Sequence, residues 1–153
     1  MIALLLTLAL SPAAMTPAPV RPNRELTPGV LAINDKTDRP FTGAETCAIK
    51  WGKDVRHVTL SMKKQVFEAY GIPWEKHSLY EVDHLISREL GGDDDVDNLW
   101  PELWTGAHNA HMKDRLENAL HRKVCKGEIT LEFAQKTIVS DWIAAYRLHV
   151  PAK

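Results

Sequence analysis

The sequence predicts an α+β fold, with a short β-hairpin embedded in a mainly helical single domain held by one disulfide. Three observations carry this. Apolar residues recur at helical spacing in three segments beyond residue 59, a β-rich run punctuated by Gly91-Gly92 lies between the first and second, and Cys47 and Cys125 are the only cysteines. The length of 153 residues, with 44% hydrophobic and 25% charged, is ordinary usage for one globular domain.

The elements follow in chain order. Ile2 to Leu10 is an apolar run of signal-peptide length, and Ser11-Pro12-Ala13-Ala14 offers the small residues that a signal peptidase reads. This predicts a signal peptide over 1–18 and export to a periplasm or the medium, although no Lys or Arg precedes the run and a buried N-terminal helix is the alternative. The run is too short to span a bilayer, so no membrane partner is expected once it is removed. Six of the nine prolines lie in the first 40 positions, which predicts a Pro-rich tether over 19–40 ahead of a domain over 41–150.

Within that domain, Met62, Val66, Phe67 and Tyr70 mark a helix capped by Thr59 or Ser61 and stopped by Gly71. The stretch Leu79 to Ile86 and the short Asn98-Leu99-Trp100, ended by Pro101, predict two antiparallel strands. Met112, Leu116 and Leu120 recur every fourth residue in a second helix over about 107–124. Thr130 caps a third, in which Leu131, Ala134, Ile138, Trp142, Ala145 and Tyr146 draw one stripe before Pro151. In an oxidising compartment Cys47 and Cys125 are expected to pair, closing a long loop worth about 4 kcal/mol in the chain-entropy description. Two buried, unpaired thiols are the alternative.

Nineteen Lys plus Arg against twenty Asp plus Glu leave a net charge of -1, so no global basic field draws the protein to nucleic acid. A nucleic-acid partner needs a local patch. Lys50, Lys53, Arg56, Lys63 and Lys64 form one candidate, and Lys113, Arg115, Arg122, Lys123 and Lys126 a second, each equally readable as a solvated helix face. Asp93, Asp95 and Asp97 mimic the start of a calcium loop, but Asn98 replaces the turn glycine and Trp104 the closing Glu, so a solvated hairpin loop is expected. His57, His77, His121 and His149 read as surface or packing residues, and the five tryptophans as core rather than base-stacking platforms.

Chemistry concentrates in residues 81–118. Asp83-His84 sets a hard oxygen ligand beside an imidazole, a pair able to hold a divalent metal while the neutral ring takes a proton from water. On a regular strand the two side chains point to opposite faces, so joint action needs a bulge or a strand end.

The order Asp83-His84, Leu85-Ile86, Gly91-Gly92, Asn98-Leu99, then a helix with His108, Asn109 and Lys113, resembles the HNH endonuclease superfamily with its ββα-metal fold. The resemblance covers roughly a quarter of the chain. It implies His84 as the general base that activates water, Asp83 as the first metal ligand, and Asn98 as the residue that steadies the loop carrying the base. It also implies a second ligand at the start of the following helix, Asn109 or His108, with Lys113 meeting phosphate. Helix geometry is compatible, since His108 and Asn109 lie about 40° and 60° to either side of Met112. Ser87 stands where the family often has Pro, no Cys-x-x-Cys zinc knuckle is present, and the step from Asn98 to Asn109 is slightly long.

The function implied is metal-dependent hydrolysis of phosphodiester bonds by a monomeric endonuclease, on DNA in preference to RNA, with little sequence specificity. One divalent ion is expected, Mg²⁺ for an oxygen-rich site and Mn²⁺, Ni²⁺ or Zn²⁺ if His108 ligates. The alternatives are a catalytically silent exported nucleic-acid or metal-binding module with the same shell, and a disulfide-stapled domain that binds a partner protein.

Overall fold

The computed structural model describes residues 21–151; the expected signal peptide lies outside them. The chain is α+β. A two-residue antiparallel hairpin, β1 (Ile33–Asn34) and β2 (Arg39–Pro40), leads into α1 (Gly43–Ala48), where Thr42 and Glu45 close a capping box. Next come α2 (Leu60–Ala69), capped by Thr59, and a 3-10 turn over Trp74–Leu79. Strands β3 (Tyr80–His84) and β4 (Leu99–Leu103) pair antiparallel, with Tyr80 opposite Leu103 and His84 opposite Leu99. Helices α3 (Ala110–Cys125) and α4 (Leu131–His149) pack on each other and complete the domain.

The expected pattern largely holds, with three departures. Strand β4 runs through Pro101 instead of ending there, because a two-stranded sheet has an unpaired side on which a missing N–H is tolerated. Helix α4 breaks its helical dihedrals at Asp141 (φ -162, ψ 96), whose Oδ1 accepts from the Ile143 and Ala144 backbones. Asp141 therefore acts as a fresh N-cap inside the element.

The third departure concerns the N-terminal segment: described residues 21–40 are not a free tether. Thr27 is fully buried and donates to the Leu99 carbonyl at 2.9 Å, while Gly29 N donates to Asp97 O and Ala32 N to Gly91 O. Asp93 N returns a bond to Val30 O. Proline stops this stretch from forming a helix, but it leaves the neighbouring amides free to dock along the 91–97 loop.

Two apolar clusters hold the elements. The larger joins Leu85, Ile86, Leu90 and Trp100 to Leu116, Leu120, Ile138 and Trp142 of α3 and α4. The smaller sets Val66 and Phe67 of α2 against Val82 and Leu99 of the hairpin. Cys47 of α1 and Cys125 of α3 form the expected disulfide, with a Cα–Cα distance of 5.6 Å. Between β3 and β4 the chain makes 3-10 turns at Arg88–Leu90 and Val96–Asn98. Both glycines between them are required. Gly91 adopts φ 81, and a Cβ on Gly92 would stand 1.8 Å from the Ile86 carbonyl oxygen.

Candidate functional site

Strand β3 delivers Asp83 and His84, 7% and 4% exposed, to one cleft. Their joint presentation follows from position. His84 is the last strand residue, and beyond it the chain turns under Asn98 instead of continuing the pleat. Asn98 is fully buried and pins that turn with three side-chain bonds: its Oδ1 accepts from Ile86 N at 3.0 Å, and its Nδ2 donates to Ile86 O at 3.0 Å and Asp93 O at 2.8 Å. The 85–93 loop is thereby fixed against the base of β4.

His84 Nε2 lies 2.8 Å from Asp94 Oδ1. Asp94 is itself held, accepting from His57 N at 2.5 Å and lying 3.4 Å from Arg88 Nε. Arg88 in turn forms an ion pair with Asp54 and donates to the Val55 carbonyl. Burial raises the Asp94 carboxyl, but the His84 bond, the His57 amide and Arg88 outweigh it and hold the group down to about 2. Burial also pushes the His84 imidazole below its usual value, against the pull of Asp94 and Asp83. At neutral pH the pair is a carboxylate and a neutral ring. The network assigns the ring proton to Nε2, facing Asp94, which leaves the lone pair on Nδ1.

Asp83 faces a second network. Lys113 Nζ, fully buried, stands 2.7 Å from Asp83 Oδ2, donates to the His84 carbonyl, and bonds Glu117 one turn further along α3. Burial opposes ionisation of Asp83, yet the Lys113 ammonium and His84 keep its carboxyl below the ordinary range. Lys113 is held above its usual value, because Asp83, Glu117 and Glu102 outweigh the burial that would discharge it. Burial raises Glu117 well above a normal carboxyl, and it raises Glu102, 1% exposed, to about 10 despite Lys113. The buried group therefore carries the Lys113–Asp83 ion pair, with Glu102 protonated at neutral pH and Glu117, also bonded to Lys113, pushed toward its neutral form.

The cleft that these residues reach has a volume of about 470 Å³ and is bordered by Asp83, His84, Arg88, Glu89, Glu117 and Asn118, among others. The structure thus brings together Asp83, His84, Asn98 and Lys113, but not the expected helix ligands. Asn109 is the N-cap of α3: its Oδ1 accepts from Met112 N at 3.1 Å and its Nδ2 donates to Gly106 O at 2.7 Å. His108 meets Trp142 edge-on at 6.2 Å. Neither makes a polar contact with Asp83 or His84 among the described residues. Lys113 faces inward to Asp83 instead of outward to phosphate, because its position on α3 turns it into the hairpin. Arg56, from the basic stretch, is tied to the Val82 carbonyl at 2.6 Å and faces Glu81 at 3.8 Å.

Asp94 and Glu117 escaped the sequence reading. Glu117 carried a usable signal, standing four residues after Lys113 on the same helix face. Asp94 carried none, being the middle of three aspartates in a loop. Asp93 and Asp95 spend their carboxylates on local turns, accepting from Asp95 N and Asp97 N at 2.8 Å each.

Comparison with known proteins supplies no relative: no protein-family model, no curated protein and no solved structure matches the chain.

Proposed function

We propose that the chain is a metal-dependent phosphodiester hydrolase of the HNH type, with its ββα-metal unit formed by β3, β4 and α3. The observation that carries the proposal is the His84–Asp94 pair, a neutral imidazole oriented by a fixed carboxylate, with His84 lining a cleft beside Asp83. Such a pair suits general-base activation of water. Asn98 supports the reading by rigidly holding the loop from which the base is presented.

The residues present fit a hard divalent ion. Oxygen-bearing side chains, among them Asp83, Glu89, Glu117 and Asn118, border the cleft. Asp83 and Glu117 would hold the ion, with Asn118 beside them, in place of Asn109 or His108. A bound Mg²⁺ or Mn²⁺ would supply charge to the phosphate oxygens as negative charge builds there. His84 Nδ1 takes the proton of the attacking water, and Asp94 stabilises the imidazolium that results. Lys113 keeps Asp83 ionised and correctly turned. We assign DNA as the substrate, ahead of RNA, and an exported protein, to which the disulfide lends support.

Plasmid DNA incubated with the folded mature protein and Mg²⁺ or Mn²⁺ tests this: nicking abolished by a chelator is expected. A catalytically silent binding module is the second reading, favoured by one observation, that Lys113 already neutralises Asp83. It predicts retarded DNA and no product.

A further inference from the structure

We propose that Cys47, His121 and Cys125 form a second, redox-dependent metal site, in which the reduced thiolates and the imidazole take a zinc ion and keep α1 clamped to α3. The site is independent of the hydrolase reading. Its three ligand atoms all lie within 4.8 Å of one another. A tetrahedral zinc with bonds of about 2.3 Å to sulfur and about 2.0 Å to nitrogen needs donors about 3.5 to 3.8 Å apart; His121 Nε2 already stands near that distance from Cys125 Sγ, and the two sulfurs, bonded to each other here, reach it only once reduction frees them to separate. His121 and Cys125 are one turn apart on α3, with Nε2 and Sγ at 3.4 Å, and Cys47 arrives from α1.

The orientation of His121 is the second, independent observation. While Nε2 points to Cys125, Nδ1 lies 3.6 Å from Glu89 Oε2, and the ring also bonds the Thr46 carbonyl. The other carboxylate oxygen, Glu89 Oε1, is buried and has no hydrogen-bond partner. A ligating histidine is commonly held in this way, one nitrogen toward the metal and the other toward a carboxylate or a carbonyl. Trp51 lies edge-on to the ring at 6.4 Å, which further restricts it. Two sulfurs and one imidazole favour zinc over Mg²⁺ or Ca²⁺, and three protein ligands leave a fourth place for water.

The chemistry balances. A dithiol donor delivers two electrons and two protons, opening the Cys47–Cys125 bond to two thiols while closing its own disulfide; zinc binding then displaces those two protons. Cys125 is exposed, so a donor can reach the bond. The consequence is structural. Helix α1 has only six residues, too short to persist without a tertiary tie, and one link or the other ties it in both redox states.

The test uses the full mature chain reduced by a phosphine, which becomes its oxide with oxygen from water. Co²⁺ is the spectroscopic probe and Zn²⁺ the competitor. Tetrahedral cobalt bands with a thiolate charge-transfer band, bleached by one equivalent of Zn²⁺, are expected in the reduced protein and absent in the oxidised one. His121→Ala should weaken Zn²⁺ binding about 100-fold and Glu89→Gln about tenfold. Near-UV circular dichroism controls for folding. A reduced chain that loses its native spectrum without metal and regains it on adding Zn²⁺ supports the site. A reduced chain that stays unfolded with Zn²⁺, a cobalt spectrum without thiolate charge transfer, or His121→Ala binding as tightly as wild type overturns it.

Discussion

Replacing Lys113 by Met removes a fully buried ammonium and leaves Asp83 and Glu117 facing each other without it. The side-chain volume is nearly kept, so little of the effect comes from a cavity. Removing one partner of a buried ion pair costs about 4 kcal/mol, which for a chain of this size lowers the melting temperature by about 12 °C. The loss should depend on pH with a definite sign. Without the ammonium, Asp83 joins the carboxyls whose folded-state pKa is raised, and such groups contribute stability at low pH that is lost as pH rises. Lys113→Met should therefore be closer to wild type at pH 5 than at pH 8. Adding Glu117→Gln should restore part of the loss, because one of the two stranded carboxyls is gone. Urea unfolding followed by tryptophan fluorescence at both pH values measures all of this. A Lys113→Met protein within 1 kcal/mol of wild type at pH 8 would refute the burial argument.

Three further outcomes are expected. Asn98→Ala leaves the Ile86 amide, the Ile86 carbonyl and the Asp93 carbonyl without their buried partner, and equilibrium unfolding should record a loss of about 3 kcal/mol. Wild-type stability should fall as pH rises from about 5 to 9, because Glu102, held up at about 10, keeps a proton that the unfolded chain releases, while Glu81 and Glu89, each at about 7, add to the slope below pH 7. Glu102→Gln should flatten the slope between pH 7 and 9; a melting temperature that climbs over this range would contradict the assignment. Asp94→Asn should lower kcat about 100-fold with KM unchanged, and should shift the His84 ring ¹⁵N signals away from the Nε2–H tautomer. The ¹⁵N readout stands whether or not the protein turns over DNA.

Helices α2, α3 and α4 and the β3–β4 pair were legible because each carries its own signal: a capping Thr, a stripe at helical spacing, or the Gly91-Gly92 pair between the strands. Asp83 and His84 were legible as adjacent residues with complementary chemistry, and the structure ends β3 at His84. What remained hidden depends on contacts between distant residues. The packing of 27–32 along the 91–97 loop arises from backbone amides, which no side-chain pattern reports. Helix α1, at six residues, is too short to show a period. Asn109 was expected at a metal, but an Asn immediately before a helix satisfies the orphan amides first, and its carboxamide is used up by Met112 and Gly106. Lys113 was expected to meet phosphate; only the three-dimensional meeting of α3 with β3 supplies the Asp83 and His84 partners that turn it inward and make its burial tolerable.

The most direct test of the proposed chemistry is the initial rate of plasmid nicking by His84→Ala beside wild type, both folded, disulfide-bonded and saturated with Mn²⁺ as measured by calorimetry. The His84–Asp94 base predicts that the variant binds the ion like wild type and loses at least about 100-fold in rate. Equal rates in the two metal-loaded proteins would contradict it.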